Sequence, residues 1–159
     1  MSVCAKHGII ATTIASRAPP RNMAMPRLGY VLVVDDEPDI VDLIVDFLSE
    51  EGYAVRGALN SEEALPAINA QRPAVILLDL LMPHENGRGL WDQLRSAGLS
   101  DIPIVMMSAS KRAAEMMLDQ GVADYLAKPF DLDELLACVT RYVCRDSAPD
   151  STYTHPLPA

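Results

Sequence analysis

A doubly wound parallel α/β sheet is expected from three features of this chain. Its 159 residues are 50% hydrophobic but only 5% aromatic, a balance that suits an aliphatic core. Apolar runs without alternation recur at Tyr30-Val31-Leu32-Val33-Val34, Val75-Ile76-Leu77-Leu78 and Ile102 to Met107, the pattern of strands buried on both faces. Between these runs lie stretches with apolar residues at helical spacing, and right-handed crossovers through helices make successive strands parallel.

Taken in order, the first strand ends in Asp35-Asp36-Glu37-Pro38, and Ile40, Leu43, Ile44, Phe47 and Leu48 then outline one apolar face of a helix that Gly52 stops. Tyr53 to Gly57 is a short strand. Ser61 is the expected cap of a helix through about Gln71, with Ala64, Leu65 and Ile68 inward. Pro66 lies deep in that helix and predicts a kink or a late start. The third strand ends at Asp79, and a loop through Gly87 leads into a helix with Leu90, Leu94 and Ala97 facing in. The strand from Ile102 ends in Ser108-Ala109-Ser110. A helix from about Lys111 to Gln120 presents Ala113, Met116 and Met117, the Met pair as core or flexible interface. Ala123 to Leu126 is the last strand, followed by Lys128-Pro129-Phe130 and a helix from about Leu132 to Val143 bearing Leu132, Leu135, Leu136 and Val139. Trp91 is expected to pack.

The length fits one domain with short extras. Residues 1–27 hold Lys6, Arg17, Arg21 and Arg27, no acid, and Pro19, Pro20 and Pro26; they read as a disordered leader or as the product of a mis-assigned start, with Met23 or Met25 as the true one. Their composition has something of a targeting peptide, but Gly8-Ile9-Ile10-Ala11 is too short for a signal core. Residues 28–145 form the domain, and residues 146–159 read as a disordered tail. Residues 28–159 carry 9 bases against 22 acids, a net −13, which repels nucleic acid and anionic membranes. No apolar run approaches the roughly 18 residues of a membrane span. Cys4, Cys138 and Cys144 lack a Cys-x-x-Cys spacing, so reduced thiols and a cytoplasmic location are expected.

Ligands of open α/β sheets bind outside the carboxyl ends of the strands. There the topology gathers Asp35, Asp36 and Glu37, Asp79, Ser108 and Lys128 on one edge. Carboxylates a few ångströms apart repel by roughly 4 kcal/mol per pair at 4 Å and an effective dielectric constant of 20. A divalent cation removes that penalty, and an all-oxygen set with no His or Cys favours Mg²⁺ on Asp35, Asp36 and Asp79. The acids after the first strand also suit a helix N-terminus, and both roles are compatible. Lys128 is suited to pairing with Asp79 and then with a phosphoryl oxygen, and Ser108 supplies a hydroxyl. A carboxylate nucleophile, a metal, a lysine and a hydroxyl together describe a site that takes a phosphoryl group onto Asp79 as an acyl phosphate.

In Val33-Val34-Asp35-Asp36-Glu37, Leu78-Asp79-Leu80-Leu81-Met82-Pro83-His84-Glu85-Asn86-Gly87, Met107-Ser108-Ala109 and Lys128-Pro129-Phe130, the chain resembles a response regulator receiver domain over about residues 28–145. The resemblance implies a flavodoxin-like sheet with strand order 2-1-3-4-5 and a stand-alone phosphoacceptor of two-component signalling rather than a metabolic enzyme. A histidine kinase or phosphotransfer protein would pass a phosphoryl group to Asp79, with Mg²⁺ held by Asp35, Asp36, Asp79 and the backbone carbonyl of Leu81. Ser108, Ala109 and Lys128 would hold the phosphate, Ser108 and Tyr125 would switch, and the Lys128-Pro129 bond would be cis. The output target is an unnamed partner protein, because the tail is too short for an output domain. Leu81 and Ser110 stand at positions that tune phosphate lifetime.

Other readings fit less well. A haloacid dehalogenase-type phosphatase needs a second Asp where Leu81 stands, and a dinucleotide-binding domain needs a glycine-rich first turn where Asp35-Asp36-Glu37-Pro38 would repel pyrophosphate. The remaining alternative is a phosphorylation-independent binding module on the same fold.

Overall fold

Five parallel strands are ordered β2-β1-β3-β4-β5, with β1 Val31–Val34, β2 Val55–Ala58, β3 Val75–Asp79, β4 Ile104–Ser108 and β5 Asp124–Ala127. This is the expected doubly wound sheet in the expected order. The structure is a computed structural model that describes residues 29–82 and 87–143. The leader 1–27, residues 83–86 of the third strand's loop, Cys4, Cys144 and the tail 146–159 lie outside the described residues.

Because side chains alternate along a strand, each apolar run feeds two cores. Leu32, Val34, Ile76, Leu78, Ile104 and Met106 pack against α2 (Ser61–Ala70), α3 (Gly87–Ser96) and α4 (Lys111–Leu118). Val31, Val33, Val75, Leu77, Val105 and Met107 face α1 (Pro38–Glu50) and α5 (Leu132–Val143). The two layers explain why β1, β3 and β4 read as continuous apolar sequence. Edge strand β2 does not need such a run: Arg56 and Gly57 are exposed. Gly57 is required by close packing, since a Cβ there would lie 2.4 Å from a methyl of Val41 on α1.

Helix ends follow local chemistry. Gly52 and Gly98 adopt positive φ, and the amides of Tyr53 and Leu99 bond back to Leu48 and Leu94 at 3.0 and 2.9 Å, closing α1 and α3. The cap of α2 is Asn60, whose side chain accepts from the Glu63 amide at 2.9 Å, and Ser61 is already helical. The two candidates are adjacent and both suit the role, so the sequence pattern alone selected the wrong one. The helix does not start late: it runs through Pro66.

Several inward assignments change. Leu43 is 54% exposed, and Val41, Ile44 and Leu48 form the buried face of α1. Ala97 is exposed because α3 ends at Ser96. On α4, Ala114 and Met117 point inward while Met116 is exposed. Leu132 stands at the exposed start of α5, whereas Leu135 and Val139 are buried as expected. Trp91 is packed in the core. Cys138 is also buried, and burial followed by the nearby Asp124 charge pushes its thiol up to about 11, which keeps it protonated.

These contacts predict contrasting costs for two leucines. Leu77→Ala, in the central strand, should lower unfolding free energy by about 2–5 kcal/mol in urea titrations. Leu43→Ala should change it by no more than about 0.5 kcal/mol.

Candidate phosphoacceptor and metal site

The parallel register builds the site. Val34 of β1 pairs with Leu78 of β3, which sets the next residues, Asp35 just past β1 and Asp79 at the last position of β3, side by side. Ser108 pairs with Ala127, and the Lys128 amide donates to the Ser108 carbonyl at 2.9 Å, so the lysine emerges over the same edge. Its ammonium donates to Asp35 Oδ2 at 2.7 Å and lies 3.2 Å from Asp79 Oδ1. Lys128 therefore pairs with Asp79, the partner read from the sequence, and also with Asp35. Neither carboxylate is reached freely by water, with Asp35 at 0% and Asp79 at 4% exposure.

Asp36 completes a group in which one carboxylate oxygen each from Asp35, Asp36 and Asp79 lie within 4.8 Å of one another. The Lys128 ammonium pairs with two of these three carboxylates, so the cluster is short of positive charge. Burial holds the Asp79 carboxyl above its usual range; Lys128 opposes this effect and Asp35 reinforces it. Burial alone would lower the pKa of Lys128, but its hydrogen bond to Asp35 and the charges of Asp35 and Asp79 outweigh that and raise it. A compact set of hard oxygen donors, two of them buried, fits a divalent cation.

The remaining residues named from sequence lie around this cluster. Ser108 is buried, and its Oγ accepts from the Ser110 amide at 3.0 Å and reaches the Ser110 carbonyl at 3.4 Å. Ser110 in turn caps α4 by accepting from the Ala113 amide at 3.3 Å. Ala109 is exposed beside Lys128, and the Lys128-Pro129 peptide is cis. Tyr125, half-buried on β5, packs against the core on the α4 side. The Leu81 side chain is 59% exposed, while its backbone amide hydrogen-bonds to Asp79.

Two features were not read from the sequence. Asp35 Oδ1 accepts from the Glu37 amide at 3.0 Å, which fixes the carboxylate that receives Lys128. Gly87 opens α3 directly against β3: a Cβ there would sit 2.2 Å from the Asp79 carbonyl oxygen. Its place at the end of the loop motif was the available signal, but the close approach depends on tertiary packing.

Residues 31–140 match the family model described as response regulator receiver domain. The chain belongs to this family. Among curated relatives, Response regulator MprA of Mycolicibacterium vanbaalenii is 41% identical over 122 residues, covering 76% of this chain and 52% of the relative. Response regulator MprA of Mycobacterium avium is 42% identical over 109 residues, covering 67% and 47%. The chain therefore spans about half the length of these relatives. Among solved structures, the receiver domain of NtrX from Brucella abortus superposes with a TM-score of 0.66 at 33% identity, covering 74% of this chain and 99% of that one. A Francisella response regulator receiver domain gives 0.68 at 34% identity, covering 74% and 98%. Receiver domains are phosphoacceptors of two-component systems, modified on an aspartate. Among the described residues of this receiver, no helix is long and apolar enough to cross a membrane.

The electrostatics predict opposite effects for two substitutions. With its folded pKa raised, ionised Asp79 opposes folding; this penalty is absent below the unfolded value and sets in as pH rises through the folded one. Asp79→Asn should therefore unfold at higher urea than the native receiver at neutral pH, and the gap should close on acidification. Lys128→Met leaves two buried carboxylates unpaired and should cost about 3–5 kcal/mol in the same titration.

Proposed function

We propose that this receiver takes a phosphoryl group onto Asp79 from a histidine kinase or phosphotransfer protein, with Mg²⁺ held by Asp35, Asp36, Asp79 and the Leu81 carbonyl. The observation that carries the reading is the Asp35, Asp36 and Asp79 cluster bridged by a single lysine. An Asp79 carboxylate oxygen forms the new P–O bond as the donor's P–N bond breaks, and the bonding pair stays on the donor imidazole nitrogen. When bound there, Mg²⁺ would supply the positive charge that offsets the carboxylates and the transferring phosphoryl group. Lys128 binds a phosphoryl oxygen and offsets its charge, while the Ser108 hydroxyl and the Ala109 amide donate to the others.

Output follows from what Ser108 gives up. Turning its hydroxyl toward a phosphoryl oxygen trades away its bonds to Ser110, the residue that caps α4. Tyr125 then turns toward the vacated space, and the surface made by α4, β5 and α5 shifts toward a second state that a partner protein reads. The site supports a cytoplasmic signalling role in which the only chemistry is gain and loss of the receiver's own phosphate.

Intact-mass measurement after incubation with acetyl phosphate and Mg²⁺ tests the assignment. One alkali-labile phosphoryl addition is expected, absent without Mg²⁺ and absent in Asp79→Asn. An addition that persists in Asp79→Asn would overturn it. So would no addition from either acetyl phosphate or a panel of histidine kinases, which would leave the phosphorylation-independent binding module.

A further inference from the structure

Met116 and Met117 are neighbours on α4 with opposite surroundings. Met117 is 3% exposed, and Met82, Met106 and Met107 are no more than 6% exposed, whereas Met116 is 54% exposed. Among the described residues it is the one thioether that a dissolved oxidant reaches directly. Met116 also lines a groove of about 190 Å³ with Leu80, Leu81, Ala113 and Met117, and Arg88, at the start of α3, is the only polar residue in that lining.

This cation is loosely engaged. Arg88 Nε lies 4.0 Å from Asp92 Oδ2, beyond hydrogen-bond length, and both side chains are more than half exposed. A guanidinium carries five N–H donors and stays protonated, so it donates to a new acceptor in the groove without giving up a proton. Lys111, on α4 itself, lies 3.8 Å from Glu115 and does not line the groove.

We propose that Met116 is a modification site for a peroxide, and that Arg88 assists transfer of the oxygen. The Met116 sulfur lone pair attacks one peroxide oxygen and the O–O bond breaks. The departing oxygen takes the proton left on the attacked one and leaves as water. Sulfur loses two electrons and the peroxide gains them, so the products are methionine sulfoxide and water. Negative charge builds on the departing oxygen, and there the Arg88 guanidinium donates. Afterwards it donates to the sulfoxide oxygen, which puts a polar, hydrogen-bonded group into a wall that was apolar. The change falls on α4, the helix that begins at the Ser110 cap beside Ser108.

Partial oxidation of the full chain with hydrogen peroxide, followed by digestion and mass spectrometry, tests this in the folded and the urea-unfolded protein. Each rate is taken relative to N-acetylmethionine in the same tube, which cancels the effect of urea on the oxidant. A half-exposed thioether without assistance reacts more slowly folded than unfolded. Met116 should instead gain its oxygen about threefold faster in the folded chain, the effect of one hydrogen bond in the transition state. Met82, Met106, Met107 and Met117 should react at least about tenfold slower folded than unfolded. Arg88→Gln should bring Met116 below its unfolded rate while circular dichroism shows a folded chain. Arg95→Gln, on the same helix but outside the groove, should leave the rate unchanged. A folded rate at or below the unfolded one in the native chain, or an Arg88→Gln rate equal to native, would overturn the proposal.

Discussion

The two contacts of the Lys128 ammonium, 2.7 Å to Asp35 and 3.2 Å to Asp79, tie together the carboxyl ends of β1, β3 and the segment after β5. Two buried carboxylates side by side repel unless a cation pairs with them or one takes up a proton. The order β2-β1-β3-β4-β5 puts β1 and β3 in contact, and the lysine after β5 reaches both across the carboxyl end of the intervening β4. The Glu37 amide orients Asp35, and the bare Gly87 backbone lets α3 pack on the Asp79 carbonyl. Topology, register and two local contacts thus converge on one charge.

That charge is insufficient for the cluster it serves. Asp36 adds a third carboxylate to the two that the ammonium pairs with, and burial holds Asp79 above its ordinary range. The site carries uncompensated negative charge, of the kind expected where a fold trades stability for chemistry. A divalent cation and a phosphoryl group would complete it together, since each supplies the charge the other lacks. The site also touches the surface: Ser108 accepts from the amide of Ser110, the residue whose side chain caps α4.

The architecture was legible because strands buried on both faces read as unbroken apolar runs, and the motif residues at their ends had to share one edge. Details set by neighbours were less legible. Leu43 satisfied helical periodicity, but a groove beside Phe130 leaves it exposed; Met116 likewise shares a pattern with Met117 and ends outside. Asn60 and Ser61 are equivalent caps until the backbone chooses. That Lys128 reaches Asp35 as well as Asp79 depends on tertiary geometry that spacing cannot encode. Gly87 could be read as a turn residue, whereas packing against Asp79 requires it.

The claim that the three carboxylates form an under-neutralised cation site is tested most directly by urea unfolding with and without Mg²⁺. At Mg²⁺ near a hundred times its dissociation constant, the native receiver should gain about 2.7 kcal/mol. Asp35→Asn/Asp36→Asn should gain little. An unfolding midpoint indifferent to Mg²⁺ in the native chain, or an equal gain in the double variant, would contradict it.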